Sequence, residues 1–350
     1  MSGSAETRID FELLRGFRFV CRPDCGLCCY AEPRVELSER TALLQLRPDV
    51  EFGHRGRDSF LVARPNGGAC RFLEDCRCAV HPARPHPCRE YPLTVHVGRR
   101  LQATIVLSCP GVGLEPLLAR DRPERSPEPE GLTAEIGALS SRVGPGTARR
   151  VRDATRRGRR IERLLADQGR WEPEEVVRSR LERQIPRPTT ADFPVEDPPP
   201  RAEGMDRLPL FFDGRPGPVG IAFDRGGWEM LELASEGGAR TLDVMVPPDR
   251  PPLLEPDAGR LLDGYLGHWL RRDAFFAAVE LEMVEGTEGS VTEWARDGLR
   301  ALGALTLARA SVRAQLKGGD GHRLTMREVE AGIRAVDQDE LDRPTWGDRF

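Results

Sequence analysis

The sequence predicts an α+β protein, in which a small irregular cysteine-rich domain is followed by a helical segment, a short antiparallel sheet and a C-terminal helical region. Three observations support this prediction. All nine cysteines lie between Cys21 and Cys109. Four short apolar runs separated by turn residues follow residue 205. Apolar residues at helical spacing dominate the remainder.

Proline-rich segments divide the 350 residues into the expected domains. Residues 1–118 form the cysteine-rich domain, and residues 119–131 form a linker. Residues 132–185 are predicted to be two or three polar helices, in which Ile161, Leu164 and Leu165 form an apolar stripe. A second linker spans residues 186–204, and residues 205–350 form an α+β domain with strands first and helices after them.

The last domain begins with four short runs of apolar and β-forming residues. Turn residues, such as Asp213-Gly214 and Gly226-Gly227, separate them. The runs are Leu208–Asp213, Val219–Asp224, Trp228–Leu233 and Thr241–Val246. This alternation predicts a four-stranded antiparallel meander.

Apolar residues recur at helical spacing after the predicted sheet. One stripe consists of Leu262, Tyr265, Leu266, Trp269, Phe276 and Val279, and another of Val291, Trp294, Leu302 and Leu305. Aromatic residues at this spacing are far more often a packed core than a cofactor-binding face. We therefore interpret both stripes as buried faces of helices.

Charge and hydropathy exclude several classes of partner. The net charge of −4 gives no general attraction to nucleic acid or to an anionic membrane. No run approaches the ~20 apolar residues of a membrane-spanning helix, and the first ten residues lack the apolar run of a signal peptide. The arginines of Arg149–Arg160 could bind phosphates, but Asp153 and Glu162 beside them favour a solvated face. We expect a cytoplasmic protein that binds neither membrane nor nucleic acid.

The cysteines are the strongest chemical signal in the sequence. An odd number of thiols in a reducing compartment argues against a disulfide framework. Cysteines that served only as small buried hydrophobic residues would not cluster in this way. Soft thiolates select zinc or iron–sulfur clusters, both of which favour four sulfur ligands. The cysteine-rich domain is therefore predicted to bind metal.

The first cysteine cluster consists of Cys21, Cys25, Cys28 and Cys29. The two-residue gap between Cys25 and Cys28 allows a tight turn to aim two sulfurs at one centre, and Gly26 supplies the backbone freedom for that turn. Neighbouring Cα atoms lie about 3.8 Å apart and their side chains diverge. Cys28 and Cys29 are thus expected to serve different centres or different irons of one cluster, and the number of centres stays open.

The later cysteines are Cys70, Cys76, Cys78, Cys88 and Cys109. The Cys109-Pro110 pair is typical of the end of ferredoxin ligand runs, which favours iron over zinc. Arginines beside the thiols could offset the charge of a thiolate-held cluster or lower thiol pKa values. They are Arg22, Arg71, Arg77, Arg84 and Arg89. His81 could be a ligand or could hydrogen-bond to one, although a lone histidine is more often structural.

Together these residues resemble the zinc- or iron-chelating cysteine-cluster family, the YkgJ-like proteins. That pattern has a Cys-x-x-Cys-Gly-x-Cys-Cys opening, a Cys-x-Phe-Leu segment, a Cys-x-Val/Ile-His/Tyr-x-x-Arg-Pro-x-x-Cys-Arg-x-Tyr/Phe-Pro segment and a late Cys-Pro-Gly. In this chain the first gap is three residues, between Cys21 and Cys25. The resemblance covers the first third of the chain and implies an iron–sulfur cluster, of the 4Fe–4S type, or zinc. The implied ligands are Cys21, Cys25, Cys28, Cys29, Cys70, Cys78, Cys88 and Cys109. Cys76 is additional to the pattern, so whether it or His81 ligates stays open.

More distantly, the chain resembles the flagellin lysine N-methylases, which couple a cysteine cluster to methyl transfer from S-adenosylmethionine. The segment Leu261–Leu270 is similar to a Tyr-Leu helical segment of those enzymes. This resemblance implies a protein lysine methyltransferase with a protein substrate, but no glycine-rich loop marks an ordinary methyl-donor site. Our leading hypothesis is a metal-binding protein with a structural or redox role. A methylase and a zinc-stabilised interaction module are the alternatives, and no catalytic residue is assigned.

Overall fold

The computed structural model describes residues 8–56, 58–119, 127–143, 145–193, 195–201, 208–215, 217–286 and 288–340. Residues 120–126 of the first predicted linker and residues 202–204 of the second lie outside these ranges. Within them, helices and several small, mainly antiparallel sheets follow one another along the chain, which confirms the α+β class.

The cysteine-rich part consists of short elements joined by turns. They are β1 (Ile9–Asp10), β2 (Arg34–Val35), α1 (Leu37–Leu46), β3 (Phe52–Arg55), β4 (Asp58–Leu61), β5 (Leu73–Glu74), β6 (Arg77–Cys78), α2 (His86–Glu90), β7 (Leu93–Val97) and β8 (Leu101–Ile105). Strand β4 pairs antiparallel with both β2 and β3, and β5 pairs with β6. Strands β7 and β8 form a hairpin, and β1 lies parallel to β8.

Three helices follow, as predicted: α3 (Thr133–Ser141), α4 (Pro145–Asp167) and α5 (Glu174–Arg183). Ile161 and Leu165 are buried on α4, whereas the Leu164 side chain is 43% exposed. The predicted three-residue stripe is therefore wrong at Leu164. Ile161 and Leu165 lie one helical turn apart on the same face of α4. That apolar face is too narrow to include Leu164.

The predicted meander is confirmed. Its strands are β9 (Leu210–Phe212), β10 (Pro218–Asp224), β11 (Gly227–Leu233) and β12 (Ala239–Met245), in the spatial order β12-β11-β10-β9. Gly227 is required at the β10–β11 turn, because its φ is +151° and a Cβ there would lie 2.4 Å from the Met245 carbonyl oxygen. Trp228, Met230 and Ile221 face a cluster that includes Val312 of the C-terminal helices.

The C-terminal region contains β13 (Leu253–Leu254), α6 (Pro256–Trp269), α7 (Asp273–Glu285), α8 (Val291–Leu316), β14 (Arg323–Leu324) and α9 (Met326–Glu340). The predicted stripe from Leu262 to Val279 is wrong as a single face, because the chain leaves the helical conformation at Arg272 and divides the stripe between α6 and α7. The buried Arg272 guanidinium stacks over Trp269 at 4.1 Å and pairs with Asp337 at 3.0 Å. These contacts stabilise the non-helical conformation between α6 and α7.

Two hydrophobic cores contain or contact cysteines. The main core extends from Ile9 through the β7–β8 hairpin to Val336 of α9, and it contains Cys109. A smaller core lies under β2–β4 and contains Cys70. Among the described residues, no helix is both long enough and apolar enough to cross a membrane.

Candidate metal centre

The turn at the first cysteine cluster has the geometry that the sequence predicts. Gly26 has a left-handed φ of +61°, and a 3-10 turn, Leu27–Tyr30, follows it. The Cys29 amide donates to the Gly26 carbonyl oxygen at 2.9 Å. The left-handed φ makes any other residue strained here, and a Cβ would also lie 3.2 Å from Cδ1 of Leu73, which would have to move slightly.

Backbone pairing brings the start of this cluster to the last cysteine. The Val20 amide donates to the Gly111 carbonyl oxygen at 2.9 Å, and this pairing places Cys21 beside the loop that follows Cys109. The two backbones are so close that a Cβ at Gly111 would lie 2.4 Å from the Val20 carbonyl oxygen. Burial raises the pKa of Cys109 to about 11, while the Gly111 amide and the Tyr91 hydroxyl act in the opposite direction.

A second contact joins Cys29 to the middle cysteines. The Cys70 amide donates to the Cys29 carbonyl oxygen at 2.6 Å. Cys70 is buried in the smaller core, and Cys29 and Cys78 pack against that core. Cys88 lies on α2, which contacts β2 and α3. Thiols from separate segments of sequence therefore converge.

Four thiols accept a hydrogen bond from the backbone amide two residues later. The Leu27 amide donates to Cys25 Sγ at 3.4 Å. The same arrangement links Phe72 to Cys70, Val80 to Cys78 and Gly111 to Cys109. Hydrogen bonds of this kind favour the thiolate over the thiol, and they tune sulfur ligands in metal centres. The backbone is thus arranged to stabilise thiolates.

Cys28 interacts electrostatically with the other predicted ligands. Burial is the main cause of the raised pKa values in this region, to about 12 for Cys25, and for Cys29 the main cause is a hydrogen bond with Cys28. Interaction with Cys28 further raises the pKa of every other predicted ligand. These are Cys21, Cys25, Cys29, Cys70, Cys78, Cys88 and Cys109. Because such interactions weaken with distance, the eight predicted ligands form one group.

Arg84 places a positive charge among these thiols. It interacts with Cys21, Cys28, Cys78 and Cys88. Its buried Nε has no hydrogen-bond partner among the described residues. A buried cation beside thiols fits an anionic metal–thiolate centre, because each would reduce the cost of burying the other. Of the five arginines named from sequence, Arg84 is the one that interacts with four of the thiols.

Sequence reasoning missed Glu135 and Tyr91. Glu135 lies on α3, and it interacts with both Cys21 and Arg84. The Tyr91 hydroxyl is buried next to Cys109, and burial raises its pKa well above the usual value. The Tyr-Pro part of the cysteine motif was the available signal for Tyr91. Glu135 carries no such signal, since it lies in a polar helix beyond the cysteines.

Cys76 lies near the turn of the first cluster, since its Cα is 3.9 Å from the position that a Cβ would take at Gly26. Cys76 has a left-handed φ of +58° and, with Asp75, forms the β5–β6 turn at a surface cleft. His81 is exposed on a 3-10 turn, His81–Ala83. Within the described residues, no three or more Cys, His, Asp or Glu side chains already have an arrangement that could hold a metal ion. Ligation by the eight cysteines stays a prediction, and whether Cys76 or His81 ligates stays open.

The segment that resembles the methylases is part of the main core. Tyr265 and Trp269 of α6 are buried there, with their ring centroids 6.5 Å apart. This placement confirms the interpretation of the aromatic stripe as core. Methyl transfer and S-adenosylmethionine binding stay predictions.

Comparison with known proteins agrees with the position of the thiol group. Residues 20–110 match the model of the CxxCxxCC family, described as an inferred zinc- or iron-chelating domain. No curated protein and no solved structure matches the chain. The matched segment is about a quarter of the 350 residues and contains all nine cysteines. Residues 20–110 are thus similar to the zinc- or iron-chelating cysteine-cluster family that the sequence resembles.

Proposed function

We propose that residues 20–110 hold a thiolate-ligated iron–sulfur centre with a redox role. The observation that carries the proposal is that Cys28 interacts electrostatically with each of the seven other predicted ligands. The proposal requires these thiols to draw closer together than they stand in the structure.

The surroundings of the thiols support a buried, charged centre. Amide donors to Cys25, Cys70, Cys78 and Cys109 would stabilise the ligands as thiolates. The Arg84 guanidinium would offset part of their negative charge. When bound, an iron–sulfur cluster supplies one-electron chemistry at a potential set by such hydrogen bonds, charge and exposure.

Exposure supports exchange of electrons with a partner. Cys70 and Cys109 are buried, whereas Cys21 is exposed. A centre held by these thiols would be anchored in the protein interior and would approach the surface on one side. A wholly structural centre would not need that exposed side.

Metal analysis of anaerobically purified protein tests the proposal. We expect iron with an equal amount of acid-labile sulfide, and broad visible charge-transfer absorption that bleaches on reduction. Cys28→Ser should lose most of this absorption, and Cys76→Ser should retain it. Stoichiometric zinc with a blank visible spectrum would overturn the redox role and support the zinc-stabilised module instead. Protein that retains no metal would overturn both.

A further inference from the structure

We propose that helix α4 is a binding surface for the phosphate backbone of double-stranded DNA. The basic face of α4 consists of seven exposed arginines: Arg149, Arg152, Arg156, Arg157, Arg159, Arg160 and Arg163. This face lies outside residues 20–110, so the inference goes beyond the proposed metal centre and does not depend on a bound metal.

The opposite face of α4 attaches the helix to the rest of the protein. Ala154, Ile161 and Leu165 are buried in the main core, and α4 packs against α7 and β7. Residues four and seven positions apart fall on one side of a helix, so burial of these three leaves the arginines on the other side. The basic face therefore belongs to a helix that the core holds in place.

The charge of α4 differs in sign from that of the whole chain. Its 23 residues contain eight arginines and three carboxylates, a net charge of +5, whereas the 350 residues together carry −4. A polyanion would therefore be attracted to α4 and repelled by the net-negative remainder of the chain. The overall charge argues against a general attraction to nucleic acid, but it does not argue against a local one.

Carboxylates neutralise only part of the basic face. Asp153 pairs with Arg156 at 2.7 Å and with Arg149 at 3.8 Å. Glu162, by contrast, is only 18% exposed, and it pairs with Arg99 in the turn between β7 and β8. The expectation of a merely solvated face depended on these two carboxylates, and one of them pairs with an arginine outside α4.

Five arginines of the basic face have no ion pair with another described residue. Neighbouring like charges on a helix repel each other, so an anion bound at this face would relieve that repulsion. The five arginines extend over ~17 Å of the helix axis, and each planar guanidinium can donate two parallel hydrogen bonds to one phosphate. They are Arg152, Arg157, Arg159, Arg160 and Arg163.

The composition of the basic face favours a nucleic acid over a membrane or a protein as its partner. Among the described side chains of α4, Leu164 is the one large apolar group that is exposed. A helix that binds a membrane surface needs a broad apolar face, and the centre of a protein interface is apolar. A phosphate backbone needs neither, because its contacts are made by charge and hydrogen bonds.

Two features favour a DNA duplex over other nucleic acids. Helix α4 contains no aromatic residue, whereas proteins that bind single strands stack the bases on aromatic rings. An α-helix fits the major groove of B-form DNA, but the major groove of duplex RNA is too narrow. Arginines that contact only phosphates do not distinguish sequences, so we expect binding without sequence preference.

Fluorescence anisotropy of a fluorescein-labelled DNA duplex of arbitrary sequence, measured with the full chain at several salt concentrations, tests this inference. If each of the five unpaired arginines contacts a phosphate, log affinity should fall against log salt concentration with a slope of about −4.5. The combined variant Arg152→Gln, Arg159→Gln and Arg163→Gln should reduce the slope to about −1.8 and weaken binding at low salt by at least about tenfold. The replaced side chains are exposed, and circular dichroism checks that the variant is folded.

A matched variant removes three exposed arginines outside α4, by Arg225→Gln, Arg250→Gln and Arg327→Gln. It changes the net charge by the same amount, and its affinity for the duplex should stay within about twofold of wild type. Equal losses of affinity in the two variants would overturn the inference, because net charge rather than α4 would then determine binding.

Three further results would also overturn the inference. One is a wild-type chain that does not bind the duplex at low salt. Another is tighter binding of a single strand of the same sequence than of the duplex. The third is binding to phosphatidylserine vesicles that the duplex does not displace, which would assign the basic face to a membrane surface instead.

Discussion

Arg334 donates a hydrogen bond from Nη1 to the carbonyl oxygen of Cys109 at 2.6 Å. The same guanidinium donates to the carbonyl oxygens of Leu107 at 3.0 Å and Val112 at 2.9 Å. Asp337, one turn further along α9, accepts from the Leu107 amide at 2.7 Å. A helix at the far end of the sequence thus fixes the backbone on both sides of a predicted ligand.

Replacing Arg334 with methionine should weaken both the fold and the metal site. The change keeps much of the apolar stem but leaves three buried carbonyl oxygens without their charged donor, at a cost of about 3 kcal/mol in the free energy of unfolding. Urea denaturation of the full chain measures this. The exposed Arg327 lies on the same helix, so Arg327→Met is the control and should change stability by less than about 0.5 kcal/mol. Equal losses of stability in Arg334→Met and Arg327→Met would contradict the role assigned to Arg334.

Gly26→Ala should destabilise the chain and reduce retained metal. Alanine is strained at a φ of +61°, and its Cβ would crowd Leu73, so we expect a loss of about 1–2 kcal/mol. Gly137→Ala is the matched control, because a Cβ there meets nothing within 4 Å and alanine favours helix α3 by roughly 1 kcal/mol. Thermal unfolding and metal analysis of both variants compare them. A Gly26→Ala protein with the thermal stability and metal content of the wild type would contradict the requirement for glycine in this turn.

Arg84→Gln should lower retention of the metal by roughly tenfold, as for other residues that support ligands. It removes the positive charge that interacts with four thiols. If the centre is an iron–sulfur cluster, its reduction potential should fall, because the reduced form would lose a stabilising cation. Chelator competition and spectroelectrochemical titration measure the two effects. Arg77→Gln, at an exposed neighbouring position, should change neither.

The buried carboxyl of Glu280, which lies away from the thiols, should make the free energy of unfolding depend on pH. Burial raises its pKa to about 7, with Glu174 adding to the shift and Arg99 and Trp171 opposing it. Between pH 4.5 and 7 the folded chain binds a proton that the unfolded chain releases, so this carboxyl lowers stability as pH rises. Glu280→Gln should therefore raise the free energy of unfolding by roughly 3 kcal/mol at pH 8 and by little below pH 4.5.

Urea denaturation at pH 8 and near pH 4.5 tests this expectation. Glu285→Gln removes an exposed carboxyl from the same helix, and it should change the free energy of unfolding by less than about 0.5 kcal/mol. A Glu280→Gln protein that is less stable than wild type at pH 8 would show that the charged form is the stabilising one.

The sequence predicted the features that depend on residues close together in the chain. The meander follows from strand-length apolar runs between turns, and the Cys25–Cys29 turn follows from Gly26 and the cysteine spacing. The break at Arg272 was not predicted, because it depends on Asp337, a distant partner. The contact of Arg334 with Cys109 and the approach of Glu135 to Cys21 have the same origin. Nothing in a helix sequence indicates which distant loop its arginine will meet.

The main core, which extends from Ile9 to Val336, has a consequence for metal affinity. Since α9 fixes the Cys109 loop, ordering of that helix and occupation of the loop's thiol are linked equilibria, and each must favour the other by the same free energy. Metal bound near the start of the chain would protect α9 from unfolding, although none of the eight predicted ligands lies on α9. A chain shortened before Met326 would release its metal more readily. The decrease in metal affinity would measure the coupling free energy between the ordering of α9 and metal binding.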